Sequence, residues 1–235
     1  MENSTRFINA FNLIEKELER RLRFDRYIGF VEKVRRLSKS DNTIKRYHRL
    51  LEEFSDLRNA IVHERIDGEV IAEPHLKVVT QIEHVAQLLT EPVLIKDRYL
   101  RKVDIAFDHQ PLHTIAKRMV NKAYSQLPVY DASHRFVGML STDSMIRYAV
   151  ANEFCLDDET ITVKDVLPYG KDTQRVAFMD PERSLIEVVN LFEAMILKGQ
   201  KLHLILITKE AKKDHLPLGV ITTHELPEIY EEITE

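Results

Sequence analysis

The sequence predicts an α-helical N-terminal domain followed by an α/β domain. In the first part, apolar residues recur at spacings of three and four, as amphipathic helices require. From Glu91-Pro92 onward, short β-branched runs alternate with helical segments, and the pattern repeats once. We therefore expect domains at residues 1–92 and 93–235, the second containing copies at about 93–152 and 160–230.

Four apolar stripes predict the helices of the first domain. The residues SKSDN, which precede the third stripe, suit a helix cap, and the turn signal IDGE ends that helix near His63. The domain is therefore predicted to be a four-helix bundle. The stripes contain, in order, Phe7, Phe11, Ile14, Leu18 and Leu22; Tyr27, Phe30, Val31, Val34 and Leu37; Ile44, Tyr47, Leu51, Phe54, Leu57 and Ile61; and Leu76, Val79, Ile82, Val85 or Ala86, and Leu89.

Each copy in the second domain has the order strand, helix, strand, hairpin, strand, helix. The hairpin strands are LPVYD with FVGMLS in the first copy, and LHLILIT with PLGVIT in the second. Both copies end with a glycine, two apolar residues and a hydroxyl residue that leads into a helix. We expect the copies to fold alike.

Composition excludes several classes of protein. The hydrophobic fraction of 44% and the charged fraction of 31% are typical of a soluble globular chain. No apolar run reaches the roughly 18–20 residues that span a bilayer, and the start MENSTRFINAF does not resemble a signal peptide, so we expect a cytoplasmic protein without a membrane partner. The single cysteine, Cys155, cannot form an internal disulfide and is interpreted as structural.

A metal site is not predicted. His109 and His113 have the spacing of a helical metal-binding pair. Pro111 lies between them and should start the helix, which leaves His109 outside it.

The net charge is −4, but the charges are unevenly distributed, and basic residues are concentrated between Arg20 and Arg49. This stretch could bind a polyanion such as RNA, or it could form solvated helix faces that acidic helices nearby balance. Its basic residues are Arg20, Arg21, Arg23, Arg26, Lys33, Arg35, Arg36, Lys39, Lys45, Arg46 and Arg49.

The step GVITTHEL, from Gly219 to Leu226, places the hydroxyl of Thr222 at a strand end and the carboxylate of Glu225 three residues later. Backbone N–H groups, the helix dipole and Thr222 could bind a phosphate, while Glu225 accepts both hydroxyls of a ribose. The same spacing is also that of a capping box, which needs no ligand.

The repeat and this step together resemble a tandem pair of CBS domains, over about residues 93–230. The resemblance implies two clefts that bind adenine nucleotides (AMP, ADP or ATP), S-adenosylmethionine or cyclic dinucleotides. Thr222 would contact phosphate, and Glu225 replaces the Asp that holds the ribose in this family. Ser125, Leu127 and Pro128 match the strand that lines the adenine pocket, although Leu127 could equally be ordinary core.

The first copy departs from the family pattern. Ser141 occupies the hydroxyl position, but Ser144 stands where the carboxylate belongs and Asp143 comes one residue early. One of the two sites is therefore expected to be lost or altered. Arg147 lies where a helix could present it to phosphate, or it is a surface charge. Gly219, which opens the matching step of the second copy, is counted with the ligand-binding residues.

A second candidate site lies in DLRNAIVHER. The forked guanidinium of Arg58 can grip a phosphate, and His63 can exchange a proton near neutral pH, so the pair could cleave a phosphodiester without a metal. On an ideal helix, positions five apart diverge by roughly 140°. Either the helix ends before His63, or a second chain completes the site. Alternatively, Arg58 pairs with Asp56 or a neighbour, Asn59 bonds locally and His63 lies at a helix C-terminus.

The R-N-x3-H pattern at the end of this helix resembles the motif of HEPN domains, over about residues 1–92. Arg58, Asn59 and His63 fall on its three positions. The resemblance implies a homodimeric, metal-independent endoribonuclease in which the RNA 2′-hydroxyl attacks the phosphate and leaves a cyclic product. The hypothesis is therefore a ribonuclease controlled by an adenine nucleotide. The alternatives are a non-enzymatic nucleotide sensor whose helical domain dimerises or docks, and a purely structural chain.

Overall fold

The computed structural model describes residues 2–22, 28–63, 65–66, 69–70, 73–153, 160–170 and 175–234. Tyr27, of the second predicted stripe, and Cys155 lie outside these residues. None of the described helices is both long enough and apolar enough to cross a membrane.

The chain divides into two compact units. The helical unit comprises Met1–Val93, Ser184–Asn190 and Ile229–Glu235, and the α/β unit comprises Leu94–Arg183 and Leu191–Glu228. The segments 184–190 and 229–235, which the sequence pattern places in the second domain, thus cluster with the helices.

The helical unit has one hydrophobic core, to which all four predicted stripes contribute. Phe7, Ile14, Ile44, Leu51 and Ile82 are among its fully buried side chains. A short antiparallel strand pair follows the third helix, where the sequence predicts only a turn. The elements are α1 (Asn3–Leu22), α2 (Phe30–Leu37), α3 (Asn42–His63), β1 (Arg65–Ile66), β2 (Glu69–Val70) and α4 (Leu76–Thr90).

Several basic side chains between Arg20 and Arg49 form ion pairs with glutamate side chains. The side chain of Lys33 is only 3% exposed, so this residue belongs to the packed interior. Arg23 and Arg26 lie outside the described residues. RNA binding by this stretch stays a prediction. The ion pairs are Arg20 and Arg21 with Glu17, Lys33 with Glu15 and Glu19, and Arg35 and Arg36 with Glu32.

The α/β unit contains two three-stranded sheets of the same design. In each, the first two strands are parallel and the last two are antiparallel. The strands are β3 (Ala106–Phe107), β4 (Gln126–Tyr130) and β5 (Phe136–Ser141) in one sheet, and β6 (Arg175–Met179), β7 (Leu202–Ile207) and β8 (Gly219–Thr222) in the other.

Helices accompany both sheets, in the order that the repeat predicts. Residues of α9 and α10 are shared between the two units. The helices are α5 (Ile95–Arg98), α6 (Leu112–Asn121), α7 (Thr142–Ala151), α8 (Val163–Val166), α9 (Leu185–Leu197) and α10 (Leu226–Thr234), and a 3-10 helix, Leu167–Tyr169, follows α8.

Buried apolar side chains pack around the sheets of the α/β unit. Ala106, Ile115, Leu127 and Leu140 are buried in one cluster around the first sheet. In a smaller cluster, Met139 of β5 packs with residues of β7. The polar residues at the strand ends therefore follow strands whose apolar side chains are well packed.

Candidate functional site

An open cleft of about 680 Å³ lies within the α/β unit. Its size is in the range of about 300–1,000 Å³ that is common for small-molecule sites. The lining residues come from four stretches of the chain. One precedes β3, one leads into β4, one lies at the start of β7, and one lies at the end of β8. They are Arg101–Asp104, Ala123–Pro128, His203 with Leu204, and Val220 with Thr222, Thr223 and His224.

Four of the predicted ligand-binding residues meet in this cleft. Ser125, Leu127 and Pro128 line one side, and Thr222 lines another. Leu127 also belongs to the core cluster of the first sheet, so its two interpretations are compatible. Gly219, Glu225, Ser141 and Arg147 lie outside this lining, and Glu225 is connected to it through its bonds to Thr222 and Arg101.

Thr222 and Glu225 are bonded to each other at the end of β8. The backbone N–H of Thr222 donates to Glu225 Oε2 at 2.8 Å, and the Thr222 hydroxyl donates to the same oxygen at 2.6 Å. The backbone N–H of His224 donates to Thr222 Oγ1 at 3.2 Å. The Glu225 side chain thus reaches back to the Thr222 N–H as in a capping box, but the Thr222 hydroxyl accepts from His224 and α10 begins only at Leu226. We call this closed turn the Thr222 box.

The two bonds that Thr222 donates to a carboxylate recur outside the cleft. Thr162 donates to Asp165 Oδ2 through its N–H at 2.8 Å and its hydroxyl at 2.7 Å. The box is therefore not specific to a ligand site. Two features distinguish the Thr222 box: Thr222 lines the cleft, and the second oxygen of Glu225 accepts a bond from Arg101.

In the first copy, the corresponding position holds no carboxylate. Ser141 and Ser144 are buried, and each side-chain oxygen accepts a bond from the backbone N–H of the other residue. Arg147 donates to Asp143 Oδ2 at 2.9 Å along α7. Ser141 thus takes part in a helix cap and Arg147 in a surface ion pair.

Gly219 positions Arg101 through backbone packing. Leu100 forms an antiparallel bridge with Gly219, and the N–H of Arg101 donates to Leu218 O at 3.0 Å. A Cβ added to Gly219 would lie 2.1 Å from the carbonyl oxygen of Tyr99, so only glycine permits this approach. From this position, Arg101 Nη2 donates to Glu225 Oε1 at 2.5 Å and to Val220 O at 2.9 Å.

Two carboxylates contribute negative charge at the cleft. The bond from Lys122 lowers the pKa of Asp104 below its usual range, and Tyr124 donates a second bond to the same oxygen. Burial alone would raise the pKa of Glu225, but bonds from Thr222 and Arg101 outweigh it and hold that pKa low. Both groups are therefore ionised at neutral pH, beside the cationic side chains of Arg101 and Lys102.

The candidate catalytic residues Arg58 and His63 lie on one continuous helix, because α3 extends to His63. A helix break between them is therefore contradicted, and the backbone directions at the two positions diverge. Arg58 Nη1 donates to Asn59 Oδ1 at 3.3 Å, and its guanidinium carbon lies 5.9 Å from the ring centroid of Phe11. The side chain of His63 lies outside the described residues.

His109 and His113 do not share a helix, because α6 begins at Leu112. His109 Nδ1 lies 3.4 Å from Asp108 Oδ1. Among the residues that the structure describes, no group of three or more His, Cys, Asp and Glu side chains could hold a metal ion.

Sequence reasoning missed several residues of the cleft. Arg101 to Asp104 precede the first strand of the repeat, and only their pairing with β8 brings them to the site. Tyr124, His203 and His224 also line the cleft, and no local motif marks them.

Residues 95–151 match the family model of the CBS domain. This part of the chain is therefore a CBS domain, which confirms a CBS-type α/β module after the helical region. The match does not extend to the helices of residues 1–92 or to the second copy. Their HEPN-like and CBS identities stay predictions. A comparison with curated proteins finds no match.

Several solved structures resemble part of the chain. Hypoxic response protein I with two coordinated zinc ions has 18% identity and a TM-score of 0.42, over 58% of this chain and 98% of that one. The CBS domain of a membrane protein from Sphaerobacter thermophilus has 20% identity and a TM-score of 0.44, over 59% and 88%. The CBS domain of a bacterial CNNM/CorC family Mg²⁺ transporter in complex with ATP has 17% identity and a TM-score of 0.42, over 65% and 93%. At these TM-scores, the likenesses carry no argument about this chain's ligand.

Proposed function

We propose that the α/β unit is a regulatory module that binds one adenine nucleotide, AMP, ADP or ATP, in the cleft. The observation that carries this proposal is the meeting of Thr222, Arg101 and the Leu127–Pro128 strand around one cavity, with Glu225 bonded to both Thr222 and Arg101. The CBS domain at residues 95–151 supports it, because many domains of this kind bind adenine nucleotides.

The cleft offers a different surface to each part of a nucleotide. Leu127, Pro128 and Leu204 provide an apolar wall for the adenine, and the ring of Tyr124, 39% exposed, can stack on it. Glu225 would accept ribose hydroxyls. The cations Arg101 and Lys102 would bind phosphate, together with the Thr222 hydroxyl once it leaves Glu225.

We propose one nucleotide per chain. In the first copy, the place of Glu225 is taken by Ser144, which is fully buried and bonded to Ser141. A neutral, buried hydroxyl cannot accept a ribose diol as a carboxylate does.

Calorimetric titration of the full chain with AMP, ADP, ATP and a cyclic dinucleotide tests the proposal. Thr222→Val removes the hydroxyl that would face phosphate. Because a hydrogen bond to a charged group contributes about 1.5–3 kcal/mol, we expect affinity to fall about 10- to 100-fold.

Thr162→Val is the matched control. It breaks a box with nearly identical bond lengths outside the cleft, so it should cost similar stability and leave affinity unchanged. Equal affinities of wild type and Thr222→Val, or equal losses in both variants, would show that the nucleotide does not bind at Thr222.

The role of the helical unit is a separate hypothesis. We propose that, if the HEPN-like motif is active, its site needs two chains, since Arg58 and His63 share one helix within a chain. The alternative is that the helical unit is a dimerisation or docking module without activity, and that the α/β unit signals nucleotide levels to a partner protein.

A further inference from the structure

We infer that Arg101 makes the cleft selective for phosphorylated ligands. When such a ligand binds, the guanidinium of Arg101 gives up its bond to the Glu225 carboxylate and binds the phosphate of the ligand instead. This inference rests on the proposed function. It concerns a residue to which neither the sequence motif nor the CBS resemblance assigns a role.

In the structure, both carboxylate oxygens of Glu225 are engaged. Oε2 accepts two bonds from Thr222, and Oε1 accepts one from Arg101. A carboxylate oxygen has about two acceptor positions, so Oε2 is saturated. Oε1 accepts one bond and has one position left, whereas a ribose diol donates two bonds. The second hydroxyl must therefore displace Arg101 from Oε1, unless it displaces the Thr222 hydroxyl from Oε2.

Arg101 is placed to leave Glu225 without a backbone movement. Its main chain is held by the bond to Leu218 O and by the neighbouring Leu100–Gly219 bridge. Its side chain is 48% exposed, whereas that of Glu225 is 16% exposed. An ion pair with one exposed partner is weak and is easily exchanged.

The phosphate of the same nucleotide offers the replacement. A guanidinium binds two phosphate oxygens in its fork, which is a stronger arrangement than its single bond to Glu225. A nucleoside carries the diol but no phosphate, so it would displace Arg101 without compensation. Nucleotides should thus bind far more tightly than nucleosides, and Arg101 should be the cause.

The test compares AMP with adenosine, by calorimetry and, for weak binding, by NMR titration, in wild type and Arg101→Ala. Loss of the phosphate contact should weaken AMP binding about 10- to 100-fold. Loss of the competing ion pair should leave adenosine binding unchanged or strengthen it up to about fivefold. Arg101→Lys should show an intermediate AMP affinity.

Arg36→Ala is the control, because Arg36 is also an exposed arginine paired with a glutamate, on α2 of the helical unit. It should change neither affinity. Equal weakening of AMP and adenosine by Arg101→Ala would show that Arg101 only supports the cleft and would overturn the inference. Unchanged AMP affinity would overturn it as well. If wild type binds no adenine nucleotide at all, the proposed function itself fails, and the inference falls with it.

Discussion

At the scale of the residue, Gly219 shows that a residue can shape a candidate ligand site without lining it. The sequence marks Gly219 as part of a nucleotide-binding step, yet its contacts are with the backbone of Tyr99. Its missing side chain lets the segment before β3 lie against β8, and this brings Arg101 to Glu225.

Gly219→Ala should therefore impair both stability and binding. The added Cβ would overlap the Tyr99 carbonyl oxygen, so the two backbones must separate. We expect the free energy of unfolding in urea to fall by about 1–3 kcal/mol, as for other overpacked sites. AMP affinity should fall as well, because Arg101 moves with its backbone.

Gly29→Ala provides the comparison, because an added Cβ there meets nothing within 4 Å. Its unfolding free energy should stay within about 1 kcal/mol of wild type. A Gly219→Ala protein with wild-type stability and AMP affinity would contradict the packing role.

At the scale of the element, the extent of α3 limits how the residues of the HEPN-like motif could form an active site. If this motif is active, Arg58 of one chain would act with His63 of another, since within a chain the two residues share one helix. Labelled RNA incubated in EDTA should yield 2′,3′-cyclic ends with the wild-type protein, and Arg58→Ala and His63→Ala should each abolish cleavage.

Mixing the two inactive variants tests the shared site. In a two-fold dimer, each mixed pair has one intact site, so subunit exchange should restore about a quarter of wild-type activity. Absence of cleavage by wild type, with or without nucleotide, would contradict ribonuclease activity and favour the dimerisation or docking alternative. Activity without recovery on mixing would contradict the shared site.

The sequence predicted elements well wherever the determining pattern is local. The stripes of α1, α3 and α4 follow helical periodicity, so residues such as Phe7, Leu51 and Ile82 were correctly assigned to the core. The Thr222–Glu225 step was visible for the same reason. Arg101 was not, because its guanidinium bonds to the Val220 carbonyl across 119 positions of sequence, and the backbone pairing of Leu100 with Gly219 that places it there is encoded in no side-chain pattern.

At the scale of the whole molecule, each unit depends on a carboxylate whose pKa is lowered by folding. Bonds from Arg20 and Arg21 hold the pKa of Glu17 below its ordinary value of 4.5 in the helical unit. In the α/β unit, the pKa of Glu225 is also low, although burial opposes this. Such groups contribute stability above the unfolded-state pKa, and that contribution is lost as pH falls through the folded-state pKa.

We therefore expect the thermal unfolding temperature to fall as pH is lowered from about 5 towards 3. Glu17→Gln should be less stable than wild type at pH 7 and should show a smaller fall on acidification. Glu228→Gln, which changes an exposed carboxylate of α10, should follow the wild-type profile. If Glu17→Gln showed the same acid dependence as wild type, the Arg20 and Arg21 bonds would not be a source of stability.

We also expect the bridge between Leu100 and Gly219 to hinder pairing of the second sheet with other chains. β8 is an edge strand, and unpaired edge strands invite pairing with neighbouring molecules and aggregation. The segment around Leu100 covers part of this edge, and it leaves the ribosome before β8 does. During synthesis, the covering segment is thus already present when β8 emerges, whereas a fragment that begins after residue 153 would expose this edge to aggregation.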